Sequence, residues 1–204
     1  MNLLMVAHNY ENQNKKIIVI KPKVDTRFGL DDIKSRTGFR RSADIILDSE
    51  DILFDKYPEI DWKTVDCVLV DEAQFLTRVQ IDEIRVLTLY TPVICYGLRT
   101  DYRSFLFPGS KRLMELADSI EEIKTICIYC SKKSNINMKY VNIDGRIGKV
   151  VEESNGKPDL GCEEKYKPVC WKCWHEHPVI QPVNEMLMYD RVSGNYRQFE
   201  FGFT

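Results

Sequence analysis

The sequence predicts an α/β fold, a parallel sheet with helices on both faces, followed by a small zinc-ribbon domain. Three runs of β-branched and other apolar residues, at 16–21, 65–70 and 92–96, are typical of strands buried on both sides. Helical periodicity separates these runs, as an α/β architecture requires. Two Cys-x-x-Cys pairs then follow, Cys127-Ile-Tyr-Cys130 and Cys170-Trp-Lys-Cys173, with the spacing of a zinc ribbon.

The elements of the core are predicted in chain order from apolar spacing. An amphipathic helix over residues 1–12 rests on Leu3, Leu4, Val6, Ala7 and Tyr10. Strand 16–21 follows, and after strand 65–70 a helical face is formed by Ile81, Ile84, Leu87 and Leu89. After strand 92–96 a second face is formed by Leu113, Leu116, Ala117 and Ile120. The nucleotide-binding core is therefore expected to span residues 1–126.

The composition changes at Cys127, where short polar runs and glycines replace the apolar segments. We expect a hairpin over residues 138–150 and then a loop rich in Gly, Pro and Glu that returns to Cys170. Residues 127–174 contain too few apolar side chains to fold unaided, and bound zinc would supply the missing stability. Residues 175–204 are predicted to be a C-terminal tail of unknown role.

Four cysteines are predicted to hold one structural Zn²⁺: Cys127, Cys130, Cys170 and Cys173. Four thiolates leave no position for an activated water, so the site is structural rather than catalytic. Ordinary buried thiols or a redox pair are the alternatives, although a redox pair would not need a duplicate. His175 or His177 could replace Cys173, but a site with four cysteines needs neither.

Length, charge and cysteine content exclude several classes of protein. The 204 residues carry 29 basic and 31 acidic side chains, so a protein that binds nucleic acid by neutralising phosphates is not expected. No apolar stretch is long enough to span a membrane, and no secretory signal opens the chain. The expected location is the cytoplasm, where the seven cysteines would favour metal ligation over disulfides.

Two acids follow directly on the second predicted strand, in the run Val68-Leu69-Val70-Asp71-Glu72-Ala73-Gln74-Phe75. Ligands of open α/β sheets bind at the carboxyl ends of the strands. An aspartate there can help to hold Mg²⁺, and a neighbouring acid can accept the proton of an attacking hydroxyl. The alternative is that Asp71 and Glu72 are only N-terminal charges for the next helix. The phosphate-binding pattern Gly-x4-Gly-Lys-Ser/Thr occurs nowhere in the chain.

These segments together resemble the zinc-containing thymidine kinases over residues 1–174. Beside the cysteine pairs and the Asp71 segment, the resemblance rests on Lys21-Pro22-Lys23-Val24-Asp25-Thr26-Arg27, Ser35-Arg36-Thr37-Gly38, Gly97-Leu98-Arg99-Thr100-Asp101-Tyr102 and Phe107-Pro108-Gly109. It implies a P-loop-type sheet and a lasso over the nucleoside. It also implies transfer of the γ-phosphate of ATP to the 5′-hydroxyl of thymidine, with Mg²⁺, by a homotetramer.

The resemblance also assigns roles to single residues. Glu72 corresponds to the general base and Asp71 to the magnesium-linked acid. Ala73 and Gln74 correspond to residues beside the nucleotide, and Arg27 corresponds to an arginine near the phosphates. Contacts to the nucleoside are implied for Phe75, Leu98, Tyr102 and Phe107. The lasso corresponds to Lys157, Pro158, Asp159, Leu160 and Gly161, followed by Tyr166. The alternative for each pocket residue is that it only fills the core.

In this comparison Met1-Asn2-Leu3-Leu4 aligns with the residues that follow the P-loop, so the first strand and the loop are missing from the chain. We expect a truncated or misassigned start, or a decayed gene. A chain without that strand is expected to be poorly soluble or inactive. Two other functions stay open. One is a catalytically silent nucleoside-binding protein, and the other is a zinc-ribbon nucleic-acid module, which the acidic balance disfavours.

Overall fold

The computed structural model describes residues 2–26, 29, 32–34, 38–143, 146–150, 166–180, 185–189 and 196–200. The chain divides into two compact units. The first consists of Met1–Arg99 and Leu106–Ile120, and the second of Thr100–Phe105 and Glu121–Thr204. None of the helices in these described ranges is both long and apolar enough to cross a bilayer.

The first unit is built on a four-stranded parallel sheet. Its elements are α1 (Asn2–Glu11), β1 (Ile17–Pro22), β2 (Asp32–Lys34), β3 (Arg40–Ser42), β4 (Ile45–Leu47), α2 (Leu53–Lys56), β5 (Cys67–Val70), α3 (Arg78–Leu87), β6 (Val93–Cys95) and α4 (Pro108–Leu116). The strand order is β4-β1-β5-β6, and β2 and β3 form a separate antiparallel pair. The N-terminal helix and the three parallel strands predicted from the sequence are therefore confirmed.

Helices cover both faces of this sheet, as predicted. Alternate residues of a strand point to opposite faces, so β1 contributes to two cores. Ile18 and Ile20 pack in a large core with residues of α2 and α3. Ile17 and Val19 face the other way and pack with α1. The unbroken apolar run of β1 is explained by burial on both sides.

The predicted helical faces extend further than the helices themselves. Helix α3 begins at a capping box formed by Thr77 and Gln80 and ends at Leu87, so Leu89 lies beyond it and is exposed. Helix α4 ends at Leu116, after which Ala117 adopts an extended backbone and Ile120 is exposed. Leu89 and Ile120 therefore do not belong to the buried faces of α3 and α4, although their spacing predicted that they would.

The second unit contains the cysteines and a mixed sheet. Its elements are β7 (Thr125–Ile126), β8 (Lys133–Ser134), β9 (Ile136–Ile143), β10 (Arg146–Lys149), β11 (Tyr166–Val169), α5 (Trp171–Glu176), β12 (Val179–Ile180), β13 (Glu185–Tyr189) and β14 (Tyr196–Glu200). Six of the strands follow the order β11-β9-β10-β12-β13-β14. The hairpin predicted over residues 138–150 is confirmed as β9 and β10. Strands β12 to β14 lie within residues 175–204, for which the sequence predicted only a tail.

Candidate active site and metal centre

The structure brings four cysteine side chains of the second unit together. The Sγ atoms of Cys127, Cys130, Cys170 and Cys173 all lie within 4.8 Å of one another. A tetrahedral zinc with bonds of about 2.3 Å requires sulfur atoms roughly 3.8 Å apart. The four thiols therefore fit a zinc ion with little adjustment, as the two Cys-x-x-Cys pairs predict.

Two tight turns place these cysteines. In the first turn, the Ser131 N–H donates to the Cys127 carbonyl at 3.1 Å, and the Cys127 N–H donates to Lys132 at 2.7 Å. In the second, Cys170 is the N-cap of α5, and its Sγ accepts the Cys173 N–H at 3.5 Å. The pairing of β9 with β11 supports the second turn, because β11 leads directly into Cys170.

The thiols of this cluster differ in acidity. Burial acts to raise the pKa of Cys127, but hydrogen bonds from the backbone of Cys170, Tyr129 and Cys130 lower it to about 6. Burial, together with the neighbouring cysteines, raises the pKa of Cys173 to about 12. The thiols therefore do not ionise together on their own, whereas a bound divalent cation favours the thiolate form of all four.

A second cluster lies at the carboxyl end of β5 in the first unit. The neighbouring strands hold the backbone there, because Asp71 N–H donates to Ile20 at 2.9 Å and Ala73 N–H donates to Tyr96 at 2.9 Å. Between these anchors Glu72 adopts the left-handed conformation, with φ of 46° and ψ of 39°. A non-glycine residue rarely takes this conformation, and strain of this kind clusters at functional sites. Asp71 and Glu72 thus lie at the predicted edge of the sheet.

Gln74 connects this edge to the segment after β6. Its Nε2 donates to Glu72 Oε2 at 2.6 Å, and its Oε1 accepts the Leu98 N–H at 3.0 Å. The Gln74 side chain is 1% exposed. Gln74 therefore links Glu72, the predicted general base, to Leu98, a predicted nucleoside contact, through its side-chain amide.

Two predicted nucleoside contacts, Phe75 and Phe107, lie edge to face. Their ring centroids are 5.5 Å apart at an interplanar angle of 74°. Leu98, a third predicted contact, is 43% exposed, and its carbonyl accepts the Ser110 hydroxyl at 2.6 Å. In the first unit, Phe107 therefore packs against Phe75, and Leu98 is linked to Glu72 through Gln74.

Tyr102 and Tyr166, two further predicted contacts, belong to the second unit. Tyr102 is buried, and the ammonium of Lys139 lies 5.2 Å from its ring centroid. Tyr166 is the register partner of Lys139 across β11 and β9, so these two residues share a face of the sheet. Lys139 was not predicted from the sequence, because the strand pairing that places it depends on distant residues.

Other predicted site residues lie outside the described part of the chain, namely Arg27 and the loop Lys157, Pro158, Asp159, Leu160 and Gly161. Strand β1, which precedes Arg27, is described, and its next-to-last residue is the buried Lys21. Lys21 Nζ donates to the carbonyls of Gly29 at 3.2 Å and Asp32 at 2.9 Å, and it pairs with Asp25 at 3.5 Å. Lys21 thus holds the Asp25 carboxylate before Arg27 and two backbone carbonyls after it, a role the sequence did not reveal.

Comparisons with known proteins show which family this chain resembles. The model of the family described as thymidine kinase matches residues 1–174. The thymidine kinase of Enterococcus faecalis is 40% identical over 187 residues, which cover 91% of this chain and 91% of that protein. The Lactococcus lactis thymidine kinase is 42% identical over 84% of this chain and 88% of its own length. The Streptococcus gordonii thymidine kinase is 42% identical over 84% of this chain and 87% of its own length.

Proposed function

This chain belongs to the thymidine kinase family, and we propose that it transfers the γ-phosphate of ATP to the 5′-hydroxyl of thymidine. The observation that carries this proposal is the Glu72 carboxylate, held at the ligand edge of a parallel sheet within the matched region. Phosphoryl transfer depends on positioning and on charge stabilisation more than on covalent chemistry by the protein. A fixed carboxylate is suited to that task.

Glu72 is proposed to act as the general base. Its carboxylate accepts the proton of the thymidine 5′-hydroxyl while that oxygen forms a bond to the γ-phosphorus. The bond between the γ-phosphorus and the β,γ-bridging oxygen breaks, and ADP leaves. The strained backbone at Glu72 and the hydrogen bond from Gln74 support this role, because both restrict where the carboxylate can lie.

Asp71 is proposed to hold Mg²⁺ beside the phosphates. Its carboxylate is partly buried at the end of β5, and carboxylate oxygens are ligands that Mg²⁺ prefers. Mg²⁺ held there would neutralise charge on the phosphates. Ala73, Gln74 and Arg27 are assigned to the nucleotide by the family resemblance.

The thymine base is proposed to contact Phe75, Leu98 and Phe107 in the first unit. The edge-to-face pair of Phe75 and Phe107 supports this, since it presents a rigid aromatic wall of the kind that binds flat rings. The resemblance also assigns nucleoside contacts to Tyr102, Tyr166 and residues 157–161. The four clustered cysteines of the second unit are proposed to hold Zn²⁺ as a structural ion, which their proximity supports.

The proposal is tested by measuring thymidine-dependent ADP formation with ATP and Mg²⁺. The chain is assayed as it stands and with the upstream strand and phosphate-binding loop that the resemblance implies. Turnover that is lost in Glu72→Gln supports the kinase. Thymidine binding in calorimetry without turnover in either form would contradict the kinase and favour a silent nucleoside-binding protein.

We extend the proposal to the assembly and location of the protein, on the family resemblance alone. The chain is proposed to form a homotetramer and to work in the cytoplasm, with thymidine and ATP as its partners and with neither nucleic acid nor membrane bound. Light scattering on the purified chain tests the tetramer, and a monomeric mass at micromolar concentration would contradict it.

A further inference from the structure

The side chain of Gln74 links the Glu72 carboxylate to the backbone of Leu98. Its Nε2 lies 2.6 Å from Glu72 Oε2, and its Oε1 lies 3.0 Å from the Leu98 amide nitrogen. We propose that Gln74 is a positioning residue, which fixes the orientation of the general base relative to the pocket segment that begins at Leu98. This inference rests on the proposed function.

A glutamine amide is the chemical group that this link requires. A carboxylate only accepts hydrogen bonds and a backbone N–H only donates one, so the bridging group must donate at one end and accept at the other. The reverse orientation of the amide would place an oxygen against the carboxylate and an N–H against the Leu98 N–H. The two partners of Gln74 therefore fix its orientation, and Gln74 in turn fixes theirs.

The surroundings of Gln74 leave little freedom for this bridge. Gln74 is 1% exposed. A Cβ atom on Gly97 would lie 2.5 Å from Gln74 Oε1, so the glycine provides the space that the amide occupies. On the far side, the Ser110 hydroxyl holds the Leu98 carbonyl at 2.6 Å. A continuous chain of hydrogen bonds thus runs from α4 through Leu98 and Gln74 to Glu72.

Positioning matters here because the backbone of Glu72 is strained. Its left-handed conformation aims the side chain, but the torsions beyond Cβ stay free to rotate unless a partner holds the carboxylate. A displacement of about 1 Å in a reacting group can lower turnover by about a hundredfold. The hydrogen bond from Gln74 to Glu72 Oε2 restricts those torsions.

Gln80 provides a matched control. It is also a glutamine that is 1% exposed in the first unit, and its amide also makes several hydrogen bonds. Its partners are the carbonyls of Asp48 at 2.6 Å and Asp51 at 3.0 Å and the N–H of Thr77 at 3.0 Å. Loss of the Gln80 amide should therefore destabilise the fold without touching the base.

The test compares Gln74→Met, Gln74→Glu and Gln80→Met in the full chain, in the form that turns over thymidine. Gln74→Met removes both hydrogen bonds. Gln74→Glu keeps an acceptor for Leu98 but removes the donor to Glu72. We measure kcat and KM for thymidine, hydrogen exchange at the Leu98 amide, and the carboxyl resonance of Glu72 in protein labelled with ¹³C-glutamate, assigned by its loss in Glu72→Gln.

We expect both Gln74 variants to lower kcat by about tenfold to a hundredfold, with KM changed less than about twofold. Leu98 exchange should rise in Gln74→Met only, and the Glu72 resonance should shift in both Gln74 variants. Gln80→Met should lower the melting temperature and leave kcat within about twofold.

Two results would overturn the inference. Wild-type kcat in Gln74→Glu would mean that Gln74 holds the loop and not the base. An unshifted Glu72 resonance in both Gln74 variants would mean that the link to the carboxylate does not exist in solution. If the wild-type chain shows no turnover, the proposed kinase function fails, and the resonance alone then decides whether Gln74 holds Glu72.

Discussion

Gly109 lies so close to Ala73 that a Cβ atom on residue 109 would be 2.7 Å from the Ala73 carbonyl oxygen. The same Cβ would lie 2.7 Å from the Leu76 carbonyl and 2.8 Å from the Gln74 carbonyl. Helix α4 therefore packs its first turn directly on the backbone of the turn that follows Glu72. Only a residue without a side chain permits this contact.

Gly109→Ala is expected to destabilise the first unit by about 1–3 kcal/mol, because backbone carbonyls cannot yield to the added methyl group as flexible side chains can. It should also lower turnover, since it displaces Phe107 from Phe75. Urea unfolding and kcat measure the two effects. Lys111→Ala, at an exposed position of the same helix, is the control, and equal stabilities of the two variants would contradict the close contact.

Glu72→Gln is expected to lower kcat by about 10²- to 10⁴-fold, because the amide cannot accept the proton of the 5′-hydroxyl. Thymidine affinity and the melting temperature should change little. Steady-state kinetics and calorimetry provide the measurement, with exposed Glu59→Gln as the control. A kcat within a factor of about three of the wild-type value would remove Glu72 from the mechanism.

Glu83 of α3 caps the start of α2. Its carboxylate oxygens accept the N–H groups of Leu53 at 2.9 Å and Phe54 at 3.1 Å. Glu83→Gln should lower the free energy of unfolding by about 1.5–3 kcal/mol, because one of two buried donors then faces an NH₂ group. Chemical denaturation tests this against Glu50→Gln at the surface. Equal midpoints for the two variants would show that the cap adds no stability.

Lys149 is fully buried in the second unit. Its ammonium lies 4.1 Å from the Trp174 ring centroid and donates to the Trp174 carbonyl at 2.8 Å. Burial lowers the pKa of Lys149 to about 8 from a usual value of 10.5. At pH values between these two pKa values, Lys149 is protonated in the unfolded chain but largely deprotonated in the folded chain. The free energy of unfolding should therefore rise with pH in this range.

The measurement is the difference in unfolding free energy between wild type and Lys149→Met, at saturating zinc and at pH values from about 7 to about 10. The wild-type chain should gain stability relative to the variant above pH 8. Lys172→Met, at an exposed position of α5, should show the same pH dependence as the wild type. A difference that does not change with pH would contradict the shift.

Among the cysteines in the described part of the chain, only the four clustered ones should be needed for zinc binding. Cys130→Ser should lose the metal and unfold the second unit, because structural zinc contributes directly to folding. Cys95→Ala removes a thiol outside the cluster and should keep one zinc per chain. Elemental analysis and the absorption of a cobalt-substituted chain test both. Full zinc binding by Cys130→Ser would disprove the four-sulfur site.

The features that the sequence predicted are those encoded by neighbouring residues. The apolar runs of β1 and β5 and the two Cys-x-x-Cys pairs are local patterns, and each was found where it was expected. Strand β4 was not predicted, because three residues are too few to show a period. Its register with β1 comes from tertiary packing.

The arrangement of the candidate site was only partly predictable. The motif placed Asp71 and Glu72 at the sheet edge, but the bridge from Gln74 to Leu98 spans 24 positions and forms only when β5 pairs with β6. The proximity of Gly109 to the Ala73 turn likewise depends on how α4 packs. Sequence patterns identify such residues but do not show which of them are in contact.

The left-handed backbone at Glu72 restricts which residues can replace it. Glycine would relieve about 1–2 kcal/mol of strain there, and asparagine part of it, so a carboxylate on a long side chain is the less stable choice. A family member that had given up phosphoryl transfer would gain stability by exchanging this residue for one of them. The residue type at this single position should therefore distinguish working enzymes from decayed copies.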